Sequence, residues 1–335
     1  MAEALIEFGI GETRALVIEQ GVAVEAHIER ADDGLRCGDV WNARLTMILL
    51  AGRRGIVRAG AFEALLEPLP PGVTEGALVR VEITREALPE AGRPRLAKAR
   101  ASGSKVGAAP GLVAAGPDLA ARLRSRGLAV HDVGGIGTDR LEAAGWSEIV
   151  ETAATGHVAF AGGLLTISPT PAMTVIDVDG ALPPPLLARA AATAAGRAIR
   201  QFDITGSIGI DFPGTDRGVR AELAMLLDAE LPAPFERTAV NGFGFVQIVR
   251  PRARPSLIER VRGSPVATAA LALLRTAERS QGHGERVLHA APVITAWLNA
   301  RVDLLAELER RLGTPVRLHA DAALAISAGY VSARP

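Results

Sequence analysis

Residues 174–180, TVIDVDG, and residues 207–212, SIGIDF, decide the fold. Each is a run of β-formers that reaches a carboxylate, Asp177 in the first and Asp211 in the second. Between them Pro183 to Pro185 opens an alanine-rich stretch that reads as a helix to about Gln201, with proline at a helix start where its missing N–H costs nothing. A strand, helix, strand order of this length predicts a right-handed crossover that lays the two strands parallel. Both aspartates then sit toward the C-terminal edge of one sheet, where α/β folds place their sites. A hard cation such as Mg2+ takes oxygen ligands, usually one or two carboxylates with the remaining positions filled by water, so the pair is a candidate metal site. Asp179 lies two residues beyond Asp177 and shares its face. Strand-end aspartates also cap turns and helices, and spacing alone leaves both readings open.

Outward from this unit, the chain before it reads as mostly β and the chain after it as α/β. From Glu3 to Arg30 apolar and polar residues alternate, with Gln20-Gly21 as a hairpin turn. From Gly38 to about Arg100 short strands are divided by Gly and Pro clusters, a spacing that suits a small barrel such as an OB-fold. Residues 101–117 are rich in Gly, Ala, Pro and Ser and read as a linker. Beyond them DLAARLRSRG, TDRLEAAGW and SEIVETAATG read as helices and LAVHDVGG as a strand. HVAF with GGLLTIS reads as a hairpin, GVRAELAMLLDAEL as a helix, and the tail from Pro265 to Tyr330 as two helices and a strand, TPVRLHA. The fold class is therefore α/β, of α+β character.

Composition limits the function classes. The 335 residues carry 37 basic and 37 acidic side chains, so a polyanion would be held by a local patch and not by the whole surface. Only Lys98 and Lys105 among the basic residues are lysines; arginine suits phosphate, because its planar fork binds it bidentately. Arg250, Arg252 and Arg254, at the end of a strand, are predicted to project to one face and line a groove for phosphates; a solvated edge that discourages strand pairing explains them equally. The single cysteine, Cys37, excludes a disulfide framework and a thiolate zinc site within one subunit. With no signal-like start and no apolar run of ~18 residues, the expectation is a cytoplasmic protein without a membrane segment. The six histidines, His27, His131, His157, His283, His289 and His319, show no metal spacing, and GGIG at 134–137 reads as a turn.

Five ordered segments resemble the ribonuclease E/G family of bacterial endoribonucleases: ETRALVIEQGVAVEAHIER (12–30), GGLLTISPTPAMTVIDVDG (162–180), FDITGSIGIDF (202–212), FGFVQIVRPRARPSL (243–257) and PVITAWLNARVDLLAELERRLGTPVRLHADAAL (292–324). The resemblance implies an RNase H-like subdomain in residues 1–35 and 118–155, interrupted by an OB-fold RNA-binding domain (36–100) and the linker (101–117). A DNase I-like catalytic subdomain (156–258) and a small C-terminal domain (259–335) follow. It implies that Asp177 and Asp211 hold Mg2+, with Mn2+ an alternative, for hydrolysis of single-stranded RNA to 5′-phosphate and 3′-hydroxyl ends. Asp179 joins them as a candidate catalytic residue, and Arg44, Arg58, Arg250, Arg252 and Arg254 as candidate RNA-binding residues.

The departures from the family are specific. Asp179 stands where the family has asparagine, Gly242 where it has arginine and Gln247 where it has glutamate; the loop after the first strand is reduced to ALPPPLL. The segment that would sense a 5′-monophosphate is absent, as is the cysteine pair that links subunits through zinc, so any homo-oligomer is expected to form without zinc. Ile56 and Leu65 or Leu66 occupy the barrel positions where the family presents aromatic rings, with Phe62 and Trp41 as possible substitutes. A non-catalytic RNA-binding or assembly protein derived from such an enzyme is the alternative expectation.

Overall fold

The protein is described by a computed structural model covering residues 2–90, 95–103, 107–135, 137–214, 216–282 and 284–334; His283 and Lys105 lie outside the described residues. Strands β1 (Ala2–Phe8), β2 (Glu12–Glu19) and β3 (Val22–Arg30) form an antiparallel meander. Gln20 and Gly21 both have positive φ, 51° and 81°, the twist that a two-residue hairpin requires. The hairpin read from the sequence is thus extended by one strand at its N-terminal side.

The chain then leaves this sheet to build a barrel from β4 (Val40–Leu50), β5 (Arg54–Ala59), β6 (Phe62–Leu66), β7 (Leu78–Arg85) and β8 (Ala97–Ala101). The strands are ordered β5-β6-β8-β7-β4, and pairing of β4 with β5 closes the ring. This is an OB-like closed five-stranded barrel. Leu45, Val57, Leu66, Val81 and Ile83 fill its interior with no exposed surface, which is how a barrel this small excludes water. The stretch read as a linker is not wholly unstructured: β9 (Gly111–Ala114) pairs with Val40–Asn42 on the outside of β4. Its four residues supply ladder hydrogen bonds but bury no side-chain face, Leu112 and Val113 being exposed, so no buried apolar pattern marks the strand within the Gly, Ala, Pro and Ser-rich stretch.

After α1 (Leu119–Ser125), β10 (Ala129–Asp132) returns to lie parallel to β1, giving the sheet order β10-β1-β2-β3. The barrel is therefore inserted between two strands of one sheet. Short helices α2 (Arg140–Ala143) and α3 (Trp146–Thr155) lead out of it.

A six-stranded sheet forms the centre of the molecule. It comprises β11 (His157–Phe160), β12 (Gly163–Pro169), β13 (Thr174–Gly180), β14 (Gly206–Asp211), β15 (Glu236–Arg237) and β16 (Phe245–Arg250), in the order β11-β12-β13-β14-β16-β15. Helix α4 (Pro184–Gln201) is the crossover between the parallel strands β13 and β14, and α5 (Arg217–Glu230) packs beside it. Ala188, Ala191, Ala192 and Ala195 of α4 are fully buried; their small side chains let the helix sit between the central sheet and β3 of the first sheet, in one continuous core with Ile176, Ile208 and Ile210.

The remainder contains α6 (Leu257–Gly263), α7 (Pro265–Glu278), β17 (Glu285–Ala290), α8 (Pro292–Asn299), α9 (Val302–Leu312), β18 (Val316–Ala320) and β19 (Tyr330–Arg334). Three strands, ordered β18-β17-β19, replace the single strand read from the sequence. Leu271, Leu274, Leu288, Ile294 and Leu308 give this lobe its own core. Buried ion pairs tie it to the first sheet: Arg279 to Glu7 at 2.8 Å, and Arg275 to Glu12, which also meets Arg30 at 3.4 Å. Arg14, 1% exposed, joins Glu7 at 2.6 Å and Asp139 and lies 5.1 Å above the Trp146 ring. Among the described residues no helix is long and apolar enough to cross a membrane.

Candidate metal site on the open face of the central sheet

The even-numbered Ile176, Val178, Ile208, Ile210, Val246 and Ile248 of β13, β14 and β16 are buried on the side of α4 and α5; odd-numbered residues point the other way. Asp177 and Asp211 are both odd, and they are direct partners across the parallel pair. Neighbouring strands lie about 4.8 Å apart, so two carboxylates leave the same face at adjacent positions. A single rung continues outward from them to Thr166 on β12 and Phe245 on β16. Asp177, Asp179 and Asp211 are exposed, and none has an ion-pair or hydrogen-bond partner among the described residues. Their oxygens are thus available for coordination.

Asp179 is one step of the strand's two-residue repeat beyond Asp177, beside Leu164. Among the described residues no group of three or more His, Cys, Asp and Glu side chains is arranged to hold an ion. The donor set is the Asp177–Asp211 pair, which matches the one or two carboxylates a Mg2+ site commonly takes from protein. The chemistry of the residues therefore fits the cation.

The wall beside the pair is aromatic. A Cβ on Gly209 would come within 2.5 Å of the Phe245 ring and 3.1 Å of the Met173 sulfur, so glycine is what leaves room for the ring over β14. The loop before β16 is fastened to the end of β14: the Phe212 N–H donates to the Gly244 carbonyl at 3.2 Å, and Asn241 Oδ1 accepts from the N–H groups of Phe243 and Phe245 at 2.9 and 3.1 Å. Gly244 has φ +91°, and a Cβ there would lie 2.3 Å from the Phe212 carbonyl. At the tip of this loop Phe243 is 89% exposed, the most exposed large apolar side chain among the described residues. Sequence reasoning did not single it out; the signal was an aromatic residue set between two glycines in Asn241-Gly-Phe-Gly, a turn with no core to enter.

Of Arg250, Arg252 and Arg254, expected to line one groove, Arg250 and Arg254 do line a common cavity and Arg252 does not. Strand β16 ends at Arg250, and Pro251 has no N–H with which to continue the ladder, so alternation does not carry through to Arg252 and Arg254. Arg250 pairs with Gly206, five residues along β14 from Asp211, or about 16 Å at ~3.3 Å per residue. Its even number also puts it on the helix-covered face. Arg250 donates to the Ile204 carbonyl at 2.6 Å, Arg252 pairs with Glu259, and Arg254 lies 3.8 Å from Glu86. The structure thus separates these three side chains from the aspartates.

On the barrel the structure does bring two candidates together. Arg44 and Arg58 are partners across β4 and β5, both exposed, and line a cavity of about 290 Å3. Arg44 donates to the Gly76 carbonyl at 2.7 Å and Arg58 meets Glu63 at 3.2 Å. Of the apolar positions beside them, Leu66 is fully buried while Ile56 and Leu65 are half-buried. Phe62 is 45% exposed and packs over Gly34, and Trp41 lies against Gly60. The barrel approaches the central sheet where Arg95 donates to the Pro171 carbonyl, at the turn preceding β13.

Two histidines that looked unrelated in sequence are adjacent. The parallel register of β17 and β18 pairs His289 with His319, with Nδ1 atoms 3.3 Å apart and Tyr330 stacked on the His289 ring. Searches for similarity find no match for this chain among protein-family models and none among curated proteins.

Proposed function

We propose that the protein is a Mg2+-dependent endoribonuclease of the ribonuclease E/G type, hydrolysing single-stranded RNA in the cytoplasm to leave 5′-phosphate and 3′-hydroxyl ends. The observation that carries this reading is the direct pairing of Asp177 with Asp211 on the uncovered face of the sheet. In it the first sheet is the RNase H-like subdomain, the central sheet is the DNase I-like catalytic subdomain, and the barrel is the RNA platform.

Asp177 and Asp211 would hold the ion, Mg2+ or Mn2+. When bound, such a cation supplies charge neutralisation at phosphate and lowers the pKa of coordinated water. The chain supplies the rest. The two carboxylates, free of protein partners, keep their oxygens directed outward, and Asp179 adds negative charge on the same face, which orders water and opposes loose approach of phosphate. Phe243 offers an exposed ring on which a base can stack beside the cleavage position. Arg44 and Arg58, facing each other across two strands without a shared carboxylate, hold backbone phosphate.

The test is cleavage of a labelled, unstructured RNA by the wild type and by Asp211→Asn, with Mg2+ and with chelator. The expected result is cleavage only with the cation, reduced at least about 100-fold by the substitution, since a bound cation contributes several kcal/mol to such a transition state. Undiminished cleavage after both Asp177→Asn and Asp211→Asn overturns the assignment.

A second reading, a non-catalytic RNA-binding or assembly protein of the same descent, is favoured by one observation: Asp179 places a third, unneutralised carboxylate on the face that phosphate must approach. Salt-dependent RNA binding without cleavage in Mg2+ or Mn2+ selects it.

A further inference from the structure

The five guanidinium groups of Arg122, Arg126, Arg200, Arg250 and Arg254 line one cavity of about 360 Å3, on the side of the central sheet away from the aspartates. Its walls come from β3, α1 and the turn after it, the C-terminal end of α4, and the segment that follows β16. The carboxylates lining it are Glu25 and Asp203. Five positive charges against two leave the cavity formally short of three negative charges.

Glu19 and Glu29, outside the cavity, reduce that gap without supplying a partner to Arg250 or Arg254. Glu25 takes a bidentate pair from Arg126, at 2.7 and 2.6 Å, and a longer contact from Arg200 at 3.3 Å. Arg200 is further held by Glu19, and Arg122 by Glu29 at 2.6 Å. Arg250 and Arg254 differ from these three. Arg250 has a backbone carbonyl as its hydrogen-bond acceptor and no ion pair among the described residues, and its Nε is buried without an acceptor. The carboxylate nearest Arg254, that of Glu86 at 3.8 Å, is already held by Arg260 at 2.7 Å, and Arg254 Nε too is buried without an acceptor. Burial pushes the Arg122 and Arg250 guanidinium groups below their ordinary pKa, and the neighbouring Arg254 adds to this at Arg122. Buried cations with unfilled donors are costly unless an anion completes them.

We propose that this cavity binds a phosphate group, with Arg250 and Arg254 as its principal donors and the other three arginines as the surrounding positive wall. Planar guanidinium forks match phosphate oxygens bidentately, and an oxyanion with several acceptor oxygens can fill the open donors of both Arg250 and Arg254 where a single carboxylate offers only two oxygens. The volume lies at the lower end of small-ligand sites, room for a phosphate with a small organic substituent. The phosphate can come from a free metabolite or ion, or from RNA. The inference stands independently of the metal site, because it uses the opposite face and the other end of the sheet.

The test is titration of the full chain with inorganic phosphate at constant ionic strength against chloride, followed by calorimetry and by thermal unfolding. Saturable binding that raises the unfolding temperature, weakened at least about tenfold in Arg250→Gln/Arg254→Gln, supports the proposal. A thermal shift equal to that of chloride, or one retained in the double variant, overturns it. Where circular dichroism shows that the double variant does not fold, Arg254→Lys is measured instead: it keeps the charge and loses the fork, and an unchanged affinity then overturns the proposal. Competition sorts the source. Displacement of phosphate by adenosine 5′-monophosphate supports the site with a small phosphorylated ligand, and displacement by an oligonucleotide lacking terminal phosphates supports it with the RNA backbone.

Discussion

The two ends of the central sheet treat charge in opposite ways. At one end Asp177 and Asp211 stand exposed, side by side and without protein partners. Beyond the other end, after Arg250, Arg260 is buried in a network in which it meets Glu86 at 2.7 Å and also Asp33. Charges of the first kind cost the fold little and remain available to a ligand. Charges of the second kind are part of the fold, because each desolvated group depends on its neighbours.

Substitutions separate these behaviours. Arg260→Gln strands Glu86 and Asp33 without their common partner, and urea denaturation is expected to show a loss of about 3–5 kcal/mol. By contrast, Asp177→Asn with Asp211→Asn is expected to change stability by no more than about 0.5 kcal/mol per site, so a large loss there would erase the distinction between the two ends. Gly209→Ala is intermediate: its methyl meets the Phe245 ring, and the displaced ring should cost about 1–3 kcal/mol in the same measurement.

Acid sharpens the contrast. Burial alone would raise the Glu25 carboxyl, but hydrogen bonds from His27 and Arg126 outweigh it and hold the group well below the ordinary carboxylate range. Asp139 is likewise lowered: burial opposes this, while the Glu142 N–H and Arg14 overcome it. Such groups bind protons less readily folded than unfolded, so their stabilisation is complete above the unfolded pKa, about 4, and is lost as pH falls through the folded value. Acid unfolding followed by circular dichroism should therefore be less steep in Glu25→Gln than in the wild type. The smallest effect on the fold belongs to Phe243→Ala, within about 0.5 kcal/mol, while filter binding of single-stranded RNA should weaken by about 1–3 kcal/mol where the ring stacks on a base.

Much of this architecture is legible in the chain. The Pro183–Pro185 start, the alanine-rich helix and the two β-runs lead directly to α4 crossing between β13 and β14, because a short crossover leaves few alternatives. The aspartate pairing follows from the same step. Arg252 leaves the groove because the two-residue alternation stops at Pro251, where the ladder ends, and the groove lies away from the aspartates because Arg250 differs from them in parity. His289 and His319 are joined by a register between β17 and β18 that no local pattern encodes. Phe243 is marked in the sequence only by its place between two glycines, and its position beside Asp211 follows from the fastening of the loop to the end of β14.

The central claim is that the open end of the sheet is a cation site. Titration of the chain with Mn2+, following the free ion by electron paramagnetic resonance, tests it without RNA. The account predicts saturable binding of one ion per chain, displaced by Mg2+ and lost in Asp177→Asn/Asp211→Asn while the thermal unfolding curve stays in place. Equal Mn2+ binding by the wild type and this double variant would contradict it.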